Sequence, residues 1–223
     1  MSNITGIEVP GLLPPPEHGP RAAMPRIKVP PLFDPPLIVG SLEGFTPMEN
    51  QGATSKCVSF AETELQEHAR WQDEGRPVDL DPDPHYALCK QIDGIPHQPG
   101  TYPWAAVAAS RKLGWIKPED EVFAVESIEE IQRALHQGML VSVGYKTDAA
   151  WGSDMVRRHG RIADGAFKFW GLHQTVCGVI TPADVYILNS WGRDWCYDGA
   201  APMSHARHKA TCVGGYAWKR ARG

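Results

Sequence analysis

ENQGATSKCVSFAETELQEHARW, residues 49 to 71, passes from a run of small residues into apolar positions at helical spacing. Val58, Ala61, Leu65 and Ala69 recur at intervals of three and four, which predicts a helix from Cys57 to about Trp71 with polar residues on its other faces. A thiol stands where the turn becomes the helix. There it feels the positive end of the helix macrodipole, which favours thiolate over thiol, and Lys56 would act the same way if its ammonium lay near the sulfur. A lone cysteine at such a place is more often a small buried hydrophobe. Chemistry requires a base, a group to orient that base, and donors for a developing oxyanion. Gln51, six residues before Cys57, offers a side-chain amide, and the Cys57 backbone N–H offers a second donor.

The base and its orienting group are found far downstream. GLHQTVCGVI and DVYILNSWGRDW are β-branched runs separated by TPAD, a turn, so they read as a hairpin. That hairpin folds Asn189 back to within a few positions of His173, 16 residues earlier. An amide oxygen at Asn189 can accept the imidazole N–H and fix the ring, leaving the other nitrogen for the sulfur. Trp191 shares a face with Asn189 and can shield that hydrogen bond from water, with Trp195 extending the lid.

Between these regions, HYALCKQIDG, PWAAVAASRKLGW and SIEEIQRALHQG read as helices, the last with a Ser127/Glu130 capping box and Gly138 as its stop. DEGRPVDLDPDP reads as a loop. MLVSVGY adds a strand to the hairpin, so helices come first and strands afterwards, an α+β pattern with two segregated lobes. Half of the 20 prolines precede residue 37, which forbids helix there. The proline-rich start carries Leu12, Leu13, Ile27, Val29, Leu32, Phe33, Leu37 and Ile38, too much apolar content for a linker. It is expected to be an extended arm partly docked on the body, and an arm of residues 1–44 lying in the cleft as a self-inhibitor is one form that docking could take.

The 223 residues can bury a sizeable core, and the net charge of −4 gives no electrostatic case for nucleic acid or an anionic membrane. No apolar run approaches the roughly 20 residues a membrane helix needs. The first residues do not read as a secretory leader. Cys57, Cys89, Cys177, Cys196 and Cys212 are odd in number and widely spaced, which argues against a disulfide framework or structural zinc and for a reducing, cytoplasmic compartment. HARHKATC, with His205, His208 and Cys212, lacks a fourth ligand and reads as a solvated loop. No metal or other cofactor is expected. Cys89 and Cys177 read as buried thiols, the remaining histidines, including His68 and His85, as surface residues, and Glu126, Glu129 and Glu130 as a solvated helix face.

Taken together, Gln51, Cys57, His173 and Asn189-Ser190-Trp191-Gly192 resemble the papain-like cysteine peptidases, whose pattern has these groups at these spacings. GTYPWAAV, residues 100 to 107, is similar to the family segment on one wall of the substrate cleft, and QGMLVSVGY to the strand on the other. The resemblance covers roughly residues 30 to 223 and lies nearest the disulfide-poor microbial and phage branch. It implies an N-terminal arm (1–30) followed by one papain-like domain (31–223). A helical lobe (mainly 57–135) and a β-rich, barrel-like lobe (mainly 139–223) would flank the cleft. It implies a cysteine endopeptidase acting on polypeptides, with Cys57, His173, Asn189 and Gln51 catalytic. Gly100, Thr101, Tyr102, Pro103, Gly144, Gly171 and Trp191 would bind substrate, Gly144 and Gly171 leaving the far wall open for a large apolar side chain.

There are departures. Thr54 stands where secreted relatives have a cysteine, Val58 replaces a bulky aromatic, and Thr101 replaces a common glycine, placing a side chain near the backbone meant for substrate. No helical inhibitory propeptide is evident. Two other readings stay open: a noncatalytic scaffold on the same fold, and a Cys-His-Asn deamidase or acyltransferase.

Overall fold

The computed structural model describes residues 12–13, 26–27, 38–45 and 49–221. Its first helix, α1 (Cys57–Glu74), starts on the thiol and is ended by Gly75 in the left-handed conformation. The apolar stripe packs as expected, with Ala61, Leu65 and Ala69 against Leu140, Val176, Leu188, Tyr216 and Trp218. The polar faces are buried too. Glu62 accepts from Ser110 Oγ at 2.7 Å and from the Tyr216 hydroxyl, and Glu67 accepts from Leu80 N at 2.6 Å. His68 stacks on Phe45 at 3.9 Å. An amphipathic pattern here hides a central helix whose polar groups find partners across the chain, as burial demands.

Helix α2 (Pro82–Ile92) begins inside the stretch expected to be loop. Asp81 caps it by accepting from Asp83 N, and Pro82 sits in the first turn, where a missing N–H costs nothing. Helix α3 (Pro103–Lys112) and α4 (Ile128–His136) follow, α4 carrying the Ser127/Glu130 capping box in both directions. Glu130, expected to be solvated, is largely buried because its carboxylate closes that box and also takes both ends of the Arg26 guanidinium at 3.0 and 2.9 Å.

The strands are β1 (Val39–Gly40), β2 (Glu121–Val125), β3 (Leu140–Thr147), β4 (Gly171–Ile180), β5 (Asp184–Leu188), β6 (Ala200–Ser204) and β7 (Cys212–Lys219). They form one antiparallel sheet in the order β2-β7-β3-β4-β5-β6, with β1 added to β4. Alternation splits the side chains. Leu140, Val176 and Leu188 face α1, whereas Val141, Val143, Tyr145, Cys177 and Ile187 face a second core with Ile131, Ala134 and Trp151. Because both sides are covered, β3 is buried at every position but Lys146. The fold is α+β, with a helical part (α1–α3) against a sheet-rich part. Strand β2 and helix α4 belong with the sheet although they precede residue 139; β2 pairs along its length with β7.

Two short helices interrupt the strand-rich half, α5 (Ser153–His159) and α6 (His205–Thr211). HARHKATC is therefore not a solvated loop. His208 is buried and bonded to the Tyr145 hydroxyl at 2.9 Å. His68 and His85 are buried as well, His85 between Ser59 and Ser110 hydroxyls at 3.0 and 3.1 Å. Cys89 and Cys177 are buried thiols as expected.

Arg207 of α6 pairs with Asp148 where the two side chains are 4% and 3% exposed. Removing one partner strands the other charge, so Asp148→Ala is expected to cost ~3–5 kcal/mol of stability in urea unfolding. A loss under about 1 kcal/mol would mean the pair is not desolvated in solution.

In the arm, Leu12, Leu13 and Ile27 are buried, confirming docking at those points, while Ile38 is exposed. Val29, Leu32, Phe33 and Leu37 lie outside the described residues. No described helix is long and apolar enough to cross a membrane.

Candidate active site

Cys57 is the first residue of α1 and fully buried, and its Sγ accepts from the Gln174 backbone N–H at 3.4 Å. The sulfur thus rests on β4 beside His173. The imidazole Nε2 of His173 lies 2.6 Å from Asn189 Oδ1, both side chains buried. Asn189 arrives there because β5 returns along β4 and its own N–H then bonds Gly199 O at 2.9 Å.

Trp191 tilts over the His173 ring at 4.8 Å. Trp195 lies deeper than a lid: it stacks on Trp151 at 6.3 Å and donates its indole N–H to Trp151 O at 2.9 Å. Trp151 meets His173 edge-on at 6.1 Å and has no counterpart among the motifs read from the sequence. These rings exclude water from the His173–Asn189 bond, which in a low-dielectric setting strengthens it.

Gln51 is tied to the same loop. Its backbone N–H donates to Ser190 O at 2.9 Å, Ser190 Oγ donates to its Oε1 at 2.6 Å, and its Nε2 donates to Thr54 O at 2.7 Å. With Oε1 fixed by the serine hydroxyl, the amide is locked and its second N–H stays available. Gly192 keeps the chains close: its N–H reaches Glu49 O at 3.0 Å, its φ is +83°, and a Cβ there would come 3.2 Å from Asn50 Nδ2.

The segment expected to form the near wall is Gly100-Thr101-Tyr102-Pro103. Thr101 does not obstruct it, because its hydroxyl turns to Asp93 Oδ2 at 2.9 Å and Asp93 is itself held by Lys90 at 2.8 Å. Its carbonyl accepts instead from Leu13 N at 3.0 Å. Tyr102 stacks on Trp104 at 5.7 Å, and Pro103 opens α3. Gly144 and Gly171, expected to share the far wall, are not neighbours. Gly144 pairs with Gln174 and Gly171 with Thr147, an odd register separation that puts them on opposite sides of the sheet. Leu172, Gln174 and Val213 accompany Gly144. A Cβ at Gly144 would lie 2.6 Å from Leu12 Cδ2, so the space the glycine leaves is filled by the arm.

Burial decides the charges. It pushes the Cys57 thiol up to about 12 despite opposing amide donors from Gln174, Val58 and Cys57, and pulls the His173 imidazole down to about 4 despite Asn189. Burial thus favours the neutral form of both groups, against the thiolate that the helix start favours. Lys56 gives no help, because its ammonium bonds Asp83 at 2.6 Å. His173 therefore takes its proton at lower pH in the folded chain than in the unfolded one. Its stabilising effect is complete above pH 6.5 and is lost as pH falls from 6.5 to about 4, by up to ~3 kcal/mol. His208, also lowered to about 4, adds in the same direction. A plot of Tm against pH should fall as pH drops through that window, and His173→Gln should make the fall shallower, leaving the His208 share; an equal slope in the variant would show that folding does not lower the His173 pKa.

Among the described residues one acidic trio, Glu49, Glu67 and Asp79, brings oxygens within 4.8 Å of one another. Burial among its neighbours raises Glu49 to about 7.

The fold is that of the papain-like cysteine proteases. No protein-family model and no curated protein matches the sequence. Solved structures do. Xylellain, a cysteine protease from Xylella fastidiosa, superposes with a TM-score of 0.79 at 16% identity over 100% of both chains. Procathepsin B S9 from Trypanosoma congolense gives 0.68 at 12% identity, covering 97% of this chain and 88% of its own. The Carica candamarcensis cysteine protease CMS1MS2, in complex with E-64, gives 0.60 at 15%, covering 84% and 100%.

Proposed function

We propose that the chain is a cysteine peptidase that cleaves internal peptide bonds, with Cys57 as nucleophile. The observation that carries this reading is the joint placement of the Cys57 sulfur on β4 next to His173, the His173–Asn189 bond of 2.6 Å, and a Gln51 amide locked by Ser190. In the reaction, His173 takes the Cys57 proton and the sulfur attacks the substrate carbonyl. The Gln51 Nε2–H and the Cys57 backbone N–H stabilise the oxyanion. His173 gives its proton to the leaving amine, and the C–N bond breaks. Neutral His173 then takes a proton from water, whose oxygen attacks the thioester carbonyl; the C–S bond breaks as the acid product leaves, and the imidazolium returns its proton to the Cys57 sulfur. Asn189 keeps the ring oriented through both half-reactions.

Charge separation between Cys57 and His173 needs polar contact that the apolar cleft occupant does not supply. Substrate amides, or water entering as the occupant leaves, would lower the desolvation that holds both groups neutral. All five cysteines are free thiols, which fits a reducing compartment.

Incubation with a quenched-fluorescence peptide library, with products read by mass spectrometry, tests this reading. The expected product pair gains one water across a backbone bond. A substrate altered only at a glutamine side chain would make the protein a deamidase, and intact peptides with an inert thiol would make it a scaffold.

A further inference from the structure

The hollow above Gly144 contains a polar atom that nothing satisfies. A Cβ at Gly144 would meet Leu12 Cδ2 at 2.6 Å, Gln174 Oε1 at 3.0 Å and Val213 Cγ2 at 3.0 Å, so these three atoms border one small space. Gln174 is 1% exposed, and its Oε1 has no hydrogen-bond partner among the described residues. The rest of that side chain is fixed. Its Nε2 donates to Ser142 Oγ at 2.7 Å, and the serine gives its own proton to Thr175 O at 3.3 Å. The hydroxyl therefore accepts from the amide N–H, which leaves the amide oxygen on the side of the hollow. The same residue donates its backbone N–H to Cys57 Sγ at 3.4 Å, so the hollow lies beside the thiol.

Leu12 fits this hollow by shape and not by chemistry. It packs with Cys57, Val58 and Ala106 in one apolar cluster, and its isobutyl group has no proton to offer Oε1. A buried acceptor left without a donor disfavours its occupant about tenfold or more. A side chain of the same outline that ends in an N–H or O–H would remove that penalty: asparagine is nearly isosteric with leucine, glutamine with methionine, and threonine with valine. We propose that Gln174 sets the selectivity of this seat, its Oε1 accepting from an uncharged donor on the substrate side chain, so that Asn, Gln or Thr is taken in preference to the isosteric Leu, Met or Val. An ammonium or guanidinium would find no counter-charge in the apolar cluster, and a carboxylate would set its oxygens against Oε1. The glycine at 144 makes room for the side chain, and the residue across the ladder decides which one fits best. This selectivity rests on the peptidase reading for the occupant's being a substrate, though not for its geometry.

Two readouts on the full-length chain test it. The first needs no turnover. The amides of Gly11, Leu12 and Leu13 are set off by Pro10 and Pro14, so hydrogen exchange of that fragment, read by mass spectrometry, reports how firmly the side chain at position 12 is seated. Leu12→Asn is expected to lose about tenfold less protection in the parent than in the Gln174→Met background, because only the parent keeps an acceptor for the new N–H. Gln174→Leu replaces Gln174→Met if the latter fails to fold, and Leu12→Gln repeats the measurement with a longer amide. The second readout is kcat/KM for peptide pairs that differ only by Leu and Asn, or by Val and Thr, scanned residue by residue before the cut. At the position that fills the hollow, the Asn:Leu and Thr:Val ratios should fall about tenfold in Gln174→Met. Equal losses of protection in both backgrounds, for Asn and for Gln, would overturn the acceptor role whatever the hydrolysis rates. Ratios that ignore Gln174→Met in a cleaving protein would overturn the substrate preference. Coupling at position 12 with no peptide cleaved would uphold the selectivity of the seat and overturn the peptidase reading.

Discussion

Cys57→Ala is expected to remove peptide hydrolysis entirely while the protein still folds. The side chain lost is small and sits in a mixed apolar cluster with Val58, Cys89 and Ala106, so losing a sulfur leaves only a small void. Stability should change by no more than ~1–2 kcal/mol. The chemical effect is of another order. Among the described residues no other nucleophile is bonded to the Gln174 amide, and Cys89, the other fully buried thiol of that cluster, sits beside His85 at 3.6 Å. Steady-state hydrolysis in the Leu12→Asp background, where the apolar packing of Leu12 against Cys57 is weakened, measures this. Residual turnover above about a thousandth of the parent would place the nucleophile elsewhere.

Gln51→Ala is expected to lower kcat about 10²–10³-fold with little change in KM, the usual cost of deleting one oxyanion donor. Ser190 and Thr54 would lose their partners on Oε1 and Nε2, yet the backbone bond from Gln51 N to Ser190 O would remain, so the loop should keep its path. Gln51→Glu distinguishes a donor from a spacer. It preserves shape and one acceptor oxygen but offers a negative charge to the oxyanion, and it should be at least as damaging as alanine. A glutamate variant with parental kcat would exclude a donor role for this side chain.

Much of this arrangement is legible because it is local. The helix start at Cys57, the Ser127/Glu130 box and the TPAD turn each depend on residues within a few positions, and the hairpin then fixes where Asn189 falls relative to His173. Pairings over long separations leave no such mark. Glu62 looks like a solvated helix residue until Tyr216, 154 positions later, is brought to it. Trp151 reaches His173 only through the packing of a single turn against Trp195. Asp81-Pro82 was a cap and first turn hidden in a string of Asp and Pro residues that equally suits a loop. Gly144 and Gly171 read as one pocket because glycines suggest space, but register decides which side each faces, and Leu172 takes the place expected of Gly171. The apolar arm could be read as docked; that Leu12 meets the hollow above Gly144 required the sheet. The charge state was least legible. A helix start favours a thiolate, and burial of the sulfur outweighs it.

Reactivity of individual thiols tests the central claim most directly. Cys196 and Cys212 are partly exposed, whereas Cys57 is wholly covered, so simple access would label them first. Treating the full-length Leu12→Asp protein with a peptidyl epoxide and mapping adducts by mass spectrometry should show modification of Cys57 ahead of both, abolished by His173→Ala. Adducts that follow exposure, with Cys57 last and His173→Ala without effect, would contradict the assignment of Cys57 as a nucleophile activated by His173.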